Sequence, residues 1–115
     1  MKPLVVGVVA VFALFSAAAT AVAQTSAQLE RGMKVYADQK CSACHSIAGK
    51  GNPKGALDDA GSRLTAEVIR EWIVNPVEMT KKTKAERKPA MRAYPNLPKE
   101  DLDAVVAYVL SLKKK

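Results

Sequence analysis

The sequence predicts an all-α domain of about three main helices, joined by long loops that wrap a group the chain itself does not supply. Three observations lead there. Apolar residues recur at helical spacing in three separate segments, and no alternating strand pattern competes with them. The connections Ser46 to Leu64 and Met79 to Leu97 are long and rich in glycine, proline and charge. Connections of that length are uncommon in a compact domain unless they have something to enclose.

The chain opens on Met1-Lys2-Pro3, a short positive start, followed by an uncharged apolar run from Leu4 to Phe15. Ala21-Val22-Ala23 then offers a small-residue cleavage site. Residues 1–23 therefore read as a secretory signal peptide and 24–115 as a single folded domain. The alternative is an uncleaved anchor, because Leu4 to Ala23 is long enough to span a bilayer. Either form puts the folded part outside the cytoplasm. The expected location is the periplasm, as a monomer with no stable membrane insertion once the signal is removed. Cleavage of 23 of the 115 residues leaves 92, enough for one small domain, and the loss of Lys2 takes the charge from +7 to +6. A basic domain can mean nucleic acid. Export, and only six aromatics with Phe12 and Phe15 in the signal, argue against that partner.

The first helix begins near Thr25, which stands at capping-box distance from Gln28. Leu29, Gly32, Met33 and Tyr36 then share one face, so Met33 reads as core. The second starts after Thr65 and buries Val68, Ile69, Trp72 and Ile73; Asn75-Pro76 ends it, since the residue before proline is pushed out of helical geometry. The third runs from about Pro98 to Leu112 on Leu102, Val105, Val106, Val109 and Leu112. Glu100, Asp101 and Asp103 suit its positive end, and Lys113-Lys114-Lys115 its negative end.

Between the first two helices stands Cys41-Ser42-Ala43-Cys44-His45. Cysteines at i and i+3 lie on one face of a helical turn, so both sulfurs can reach a single flat partner. Followed at once by histidine, they read as the attachment site of a c-type haem: two thioether bonds to one covalently bound haem c, with His45 as an iron ligand. The other readings are weaker. A redox dithiol belongs near a strand–helix–strand pattern. A structural zinc would lack a fourth soft ligand, because the chain's two Cys and one His are all in this motif. A disulfide would close a very short loop and leave His45 without a role. A haem also supplies the apolar hub that lets so small a domain enclose a core.

With these residues in place, the mature chain resembles the class I c-type cytochromes along essentially its whole length. Gly32 and Tyr36 match the family's Gly-x-x-x-aromatic arrangement, and Val105-Val106-Ala107-Tyr108-Val109 its apolar-x-Ala-Tyr-apolar signature. The resemblance implies the cytochrome c fold, in which these two helices cross at the glycine. It also makes Met91-Arg92-Ala93-Tyr94-Pro95-Asn96-Leu97 similar to the stretch that brings methionine to the iron. Bis-histidine ligation is excluded by the single histidine; lysine or an open position stays possible, and methionine is the usual partner of a c-type histidine. Met91, in a loop flanked by Pro89 and Pro95, is the expected sixth ligand, with Met79 the alternative.

Trp72 is expected against the haem, its N–H given to a propionate or a backbone oxygen, or else as plain core. By resemblance alone, Arg63 and Tyr94 are expected beside the propionates or the haem edge. The family's proline turn next to the proximal histidine is replaced here by Lys54-Gly55-Ala56-Leu57, with Pro53 upstream, which leaves open which carbonyl meets His45.

The functional expectation is a mono-haem, one-electron carrier between donor and acceptor proteins with acidic docking faces, and not an enzyme. The chain has no spare histidine for distal acid–base work. A haem-based sensor, or a small haem subunit of a larger oxidoreductase complex, is the alternative.

Overall fold

The computed structural model describes residues 25–114, together with 2–4, 7 and 10. Most of the expected signal segment, including its cleavage site at Ala21-Val22-Ala23, lies outside the described residues. The first helix, α1 (Ser26–Asp38), starts as its cap implies: Thr25 Oγ1 accepts the Gln28 N–H at 3.1 Å. The last helix, α5 (Lys99–Leu110), packs across it. The crossing is close because Gly32 has no side chain; a Cβ there would strike the Ala104 carbonyl and Tyr108 Cβ. Next to it the Tyr36 and Tyr108 rings meet edge to face, centroids 5.9 Å apart. Outside the crossing, Arg31 pairs with Glu100 at 3.0 Å and Asp101 at 2.8 Å.

Met33 is not core. It is 52% exposed, while Val35 takes the buried position. The contact with α5 is centred on Gly32, Val35 and Tyr36, and Met33 lies about 100° further round the helix than Gly32.

Helix α3 (Ala66–Val74) is capped by Thr65 Oγ1, which accepts the Val68 N–H at 3.2 Å. Ile69 and Ile73 are buried, and Val68 and Trp72 half-buried. The helix stops at Asn75 as expected, but Pro76 does not open a loop. It is the first residue of a further helix, α4 (Pro76–Thr83). Proline is well suited there, because its fixed φ is helical and its missing N–H would have no partner in the first turn. Met79 is therefore a buried residue on a helix and not the start of an irregular stretch.

The other long connection is also more regular than its composition suggests. It holds a two-residue hairpin, β1 (Ser46–Ile47) with β2 (Lys50–Gly51), a 3-10 turn at Pro53–Gly55, and the one-turn helix α2 (Ala60–Arg63). The strands pair antiparallel, Ser46 with Gly51 and Ile47 with Lys50. Two residues per strand are too few to show an alternating pattern, which is why the sequence reads as free of strands.

The core is one cluster of Val35, Ala60, Ile69, Ile73, Val105, Val106 and Val109, drawn from α1, α2, α3 and α5. Each large aliphatic side chain here contributes roughly 1.5–3 kcal/mol by leaving water. Met91, Tyr94 and Leu97, from the segment between α4 and α5, pack on one side of it.

Candidate functional site

Beside this core lies a cavity of about 460 Å³, within the roughly 300–1,000 Å³ usual for ligand sites. Its walls are mostly aliphatic and aromatic, among them Val35, Leu57, Ile69 and Val109. Cys41, Cys44, His45, Met91, Trp72, Arg63 and Tyr94 all line it.

The cysteines reach the cavity through a sharp change of direction. After α1, Lys40 takes a left-handed conformation (φ 56°), and the chain enters a 3-10 turn at Cys41–Ala43. Both thiols are free and partly buried, and burial raises the pKa of Cys41. The turn is then locked from behind by Asn52. Its N–H donates to the Ser42 carbonyl at 3.1 Å and the His45 carbonyl at 2.9 Å, and its side-chain amide to the Ala43 carbonyl at 3.3 Å. Gly51 allows this approach: its φ is +107°, and a Cβ there would strike the His45 carbonyl.

Asn52 also starts the next turn, its Oδ1 accepting the Lys54 N–H at 3.0 Å ahead of Pro53–Gly55. That turn presents the Gly55 carbonyl to His45 Nδ1 at 2.9 Å. A carbonyl only accepts, so in this bond Nδ1 carries the hydrogen, and the neutral ring keeps its lone pair on Nε2. The carbonyl that orients His45 is thus that of Gly55. Burial lowers the His45 pKa, the bond to Gly55 opposes that shift, and the positive charge of Arg87 adds to it.

Met91 reaches the same cavity from the segment after α4, and Tyr94 anchors that segment. The Tyr94 N–H donates to the Ile73 carbonyl at 2.8 Å and its hydroxyl to the Gln39 carbonyl at 3.3 Å, while Arg92 lies over its ring. Met79, the alternative ligand, faces the interior from α4 and does not line the cavity. Trp72 is a half-buried part of the wall. Arg63 stands at the wall with its Nε on Asp59 at 3.0 Å.

Two features had no clear sequence signal. Arg87, one basic residue in a charged run, reaches across the cavity rim to donate to the Cys44 carbonyl at 2.5 Å. The Tyr36 hydroxyl is buried without a hydrogen-bond partner among the described residues, and burial pushes its pKa up to about 12.

A haem c fits this donor set. It needs two thiols on one turn, an imidazole nitrogen, apolar walls and a soft ligand from a separate segment, and the cavity offers all of these. The unpartnered Tyr36 hydroxyl at the same wall is a polar group that an occupant could satisfy.

A family model described as cytochrome c matches residues 29–113. Cytochrome c oxidase subunit 2 of Alkalihalophilus pseudofirmus is 30% identical over 98 residues, covering 77% of this chain and 27% of that protein. The chain thus spans about a quarter of the length of this curated relative. No solved structure shows a significant match.

Proposed function

The chain belongs to the cytochrome c family, and on that premise we propose that it is a one-electron carrier of the periplasm, holding a single haem c. One observation carries this reading: Met91 lines the same cavity as Cys41, Cys44 and His45, although three helices, α2, α3 and α4, separate them in the chain. When bound, haem c supplies an iron that alternates between ferrous and ferric states. The residues of this chain do the rest. Cys41 and Cys44 would hold the group through two thioethers. His45 would offer Nε2 and Met91 its thioether sulfur to the iron, two ligands that the fold holds in place. The aliphatic walls exclude water, while Trp72, Tyr94 and Arg63 border the group. The expected partners are donor and acceptor proteins with acidic faces, met through small transient interfaces.

The test is a reduced-minus-oxidised spectrum with a redox titration on the purified mature protein, after haem content has been checked by acidified-acetone extraction. Haem that stays with the polypeptide, a single one-electron wave and a ferrous form slow to bind carbon monoxide support the carrier. Extraction of free haem refutes covalent attachment. Rapid carbon monoxide binding favours a sensor or an enzyme with an open iron.

The likeness to cytochrome c oxidase subunit 2 favours a second reading, a small haem subunit of a larger oxidoreductase complex. Detergent-solubilised membranes separate the two. Elution at the chain's own mass supports the carrier, and co-elution with an oxidase at constant ratio supports the subunit.

A further inference from the structure

Residues 81–90 are exposed along their whole length, yet Arg87 within them is held in one place. Its guanidinium donates to the Cys44 carbonyl at 2.5 Å. It also lies so close to Gly55 that a Cβ on that glycine would strike both the guanidinium and the Cys44 carbonyl. Cys44 precedes His45, and Gly55 supplies the carbonyl that binds His45 Nδ1. Arg87 therefore presses on the histidine's support from both sides of the ring's hydrogen bond. It stands four residues before Met91, and both line the cavity.

We propose that Arg87 is a positioning residue that clamps the segment carrying Met91 onto the support of His45 and sets a fixed positive charge beside that support, favouring the reduced protein. The inference rests on the haem reading above. The clamp acts on structure: the fork bridges two segments 43 residues apart, and a charge-assisted hydrogen bond is stronger than a neutral one. The charge acts on redox balance. A positive group near the ligand disfavours a further positive charge there, and the oxidised state carries one more than the reduced state. Lys82, exposed on α4, carries the same charge but does not line the cavity and makes no hydrogen bond to Cys44 or Gly55 among the described residues.

The experiment compares the holoprotein with Arg87→Gln, Arg87→Lys and the control Lys82→Gln. It measures midpoint potential and the affinity of added imidazole for the ferric form. Arg87→Gln should shift the balance toward the oxidised state roughly fivefold at low salt. It should also bind imidazole roughly tenfold more tightly, because Met91 is held less firmly. Arg87→Lys should fall between it and the wild type, since a lysine keeps the charge without the fork. Lys82→Gln should shift the potential much less. Wild-type potential and imidazole affinity in Arg87→Gln would overturn the proposal. Equal shifts in Arg87→Gln and Lys82→Gln would reduce it to net charge and also overturn it. If Arg87→Gln does not fold, Arg87→Lys decides: wild-type values there remove the positioning role. A wild-type protein that carries no haem would instead sink the haem reading itself.

Discussion

His45 Nδ1 lies 2.9 Å from the carbonyl oxygen of Gly55, ten residues further along the chain. The bond fixes which ring nitrogen faces the cavity, and it depends on how tightly the Pro53–Gly55 turn can approach Cys44. Gly55→Ala should break that approach, because the new methyl meets a backbone carbonyl that cannot rotate away. The expected cost is about 1–3 kcal/mol, the usual range for forcing an extra carbon into a packed site. Denaturant unfolding should show a lower midpoint with an unchanged slope. Solvent exchange of the His45 Nδ1 hydrogen should be faster than in the wild type. Unchanged exchange would mean that another acceptor replaces Gly55.

Met91 and Met79 separate ligand from core. Met79 is buried on α4 away from the cavity, so Met79→Ala should cost about 2–5 kcal/mol and leave the iron's surroundings alone. Met91→Ala should abolish the weak near-infrared band of a methionine–ferric bond, open the iron to added ligands and lower the potential, since a thioether favours ferrous iron. Loss of the band in Met79→Ala, with its survival in Met91→Ala, would reverse the assignment.

Much of this was legible because it is local. Thr25 and Thr65 cap helices through bonds to residues three positions on, and the two cysteines with His45 are a single turn of chain. The glycine crossing was legible through resemblance, and the clash a Cβ would meet at Gly32 gives its physical basis. What escaped depends on distance or on competing local signals. Pro76 carries both a stop signal for α3 and a start signal for α4, and in the sequence the stop masks the start. Met33 fits a helical stripe, but its exposure is decided by where α5 lies. Gly55 and Arg87 act through contacts made by folding, and no spacing in the sequence announces them.

Asp103 gives a pH dependence whose sign can be stated. Hydrogen bonds from Lys99 at 2.6 Å and Arg70 at 2.7 Å hold its carboxyl below the usual carboxylate range. Arg70 belongs to α3 and Asp103 to α5, so the pair also joins two helices. A carboxyl whose pKa is lower folded than unfolded adds stability above its unfolded value of about 3.9. That contribution fades as pH falls through the folded value. Because the groups are largely at the surface, Asp103→Asn should cost about 0.2–1 kcal/mol at neutral pH. The gap between wild type and variant should close in strong acid. A gap of the same size at both pH values would show that shape, not charge, is responsible.

The last prediction concerns the face beside Met91. Lys81, Lys82, Lys84, Arg87, Lys88 and Arg92 fall within residues 81–92, opposed there by Glu86 alone. Residues 81–90 are all exposed, and Ala85, Arg87, Pro89, Ala90 and Met91 border the cavity. The positive run therefore lies along the cavity rim. Nearby anions offset it only slightly: Lys81 sits 3.7 Å from Glu78, and both are well exposed. Such a run can be a merely solvated face. At a rim where an electron leaves, it would also draw in acidic partners and raise the rate of productive encounter. Screening over roughly 8 Å at physiological salt confines that attraction to close approach, so added salt should weaken it. Reduction by an acidic partner should therefore slow as ionic strength rises. Reversing the charge at Lys81, Lys82 and Lys84 should flatten that dependence and leave the spectrum unchanged, because none of the three lines the cavity. Stopped-flow rates across a salt series decide the matter. A rate indifferent to salt marks a solvated face, and one that rises with salt points to a basic partner.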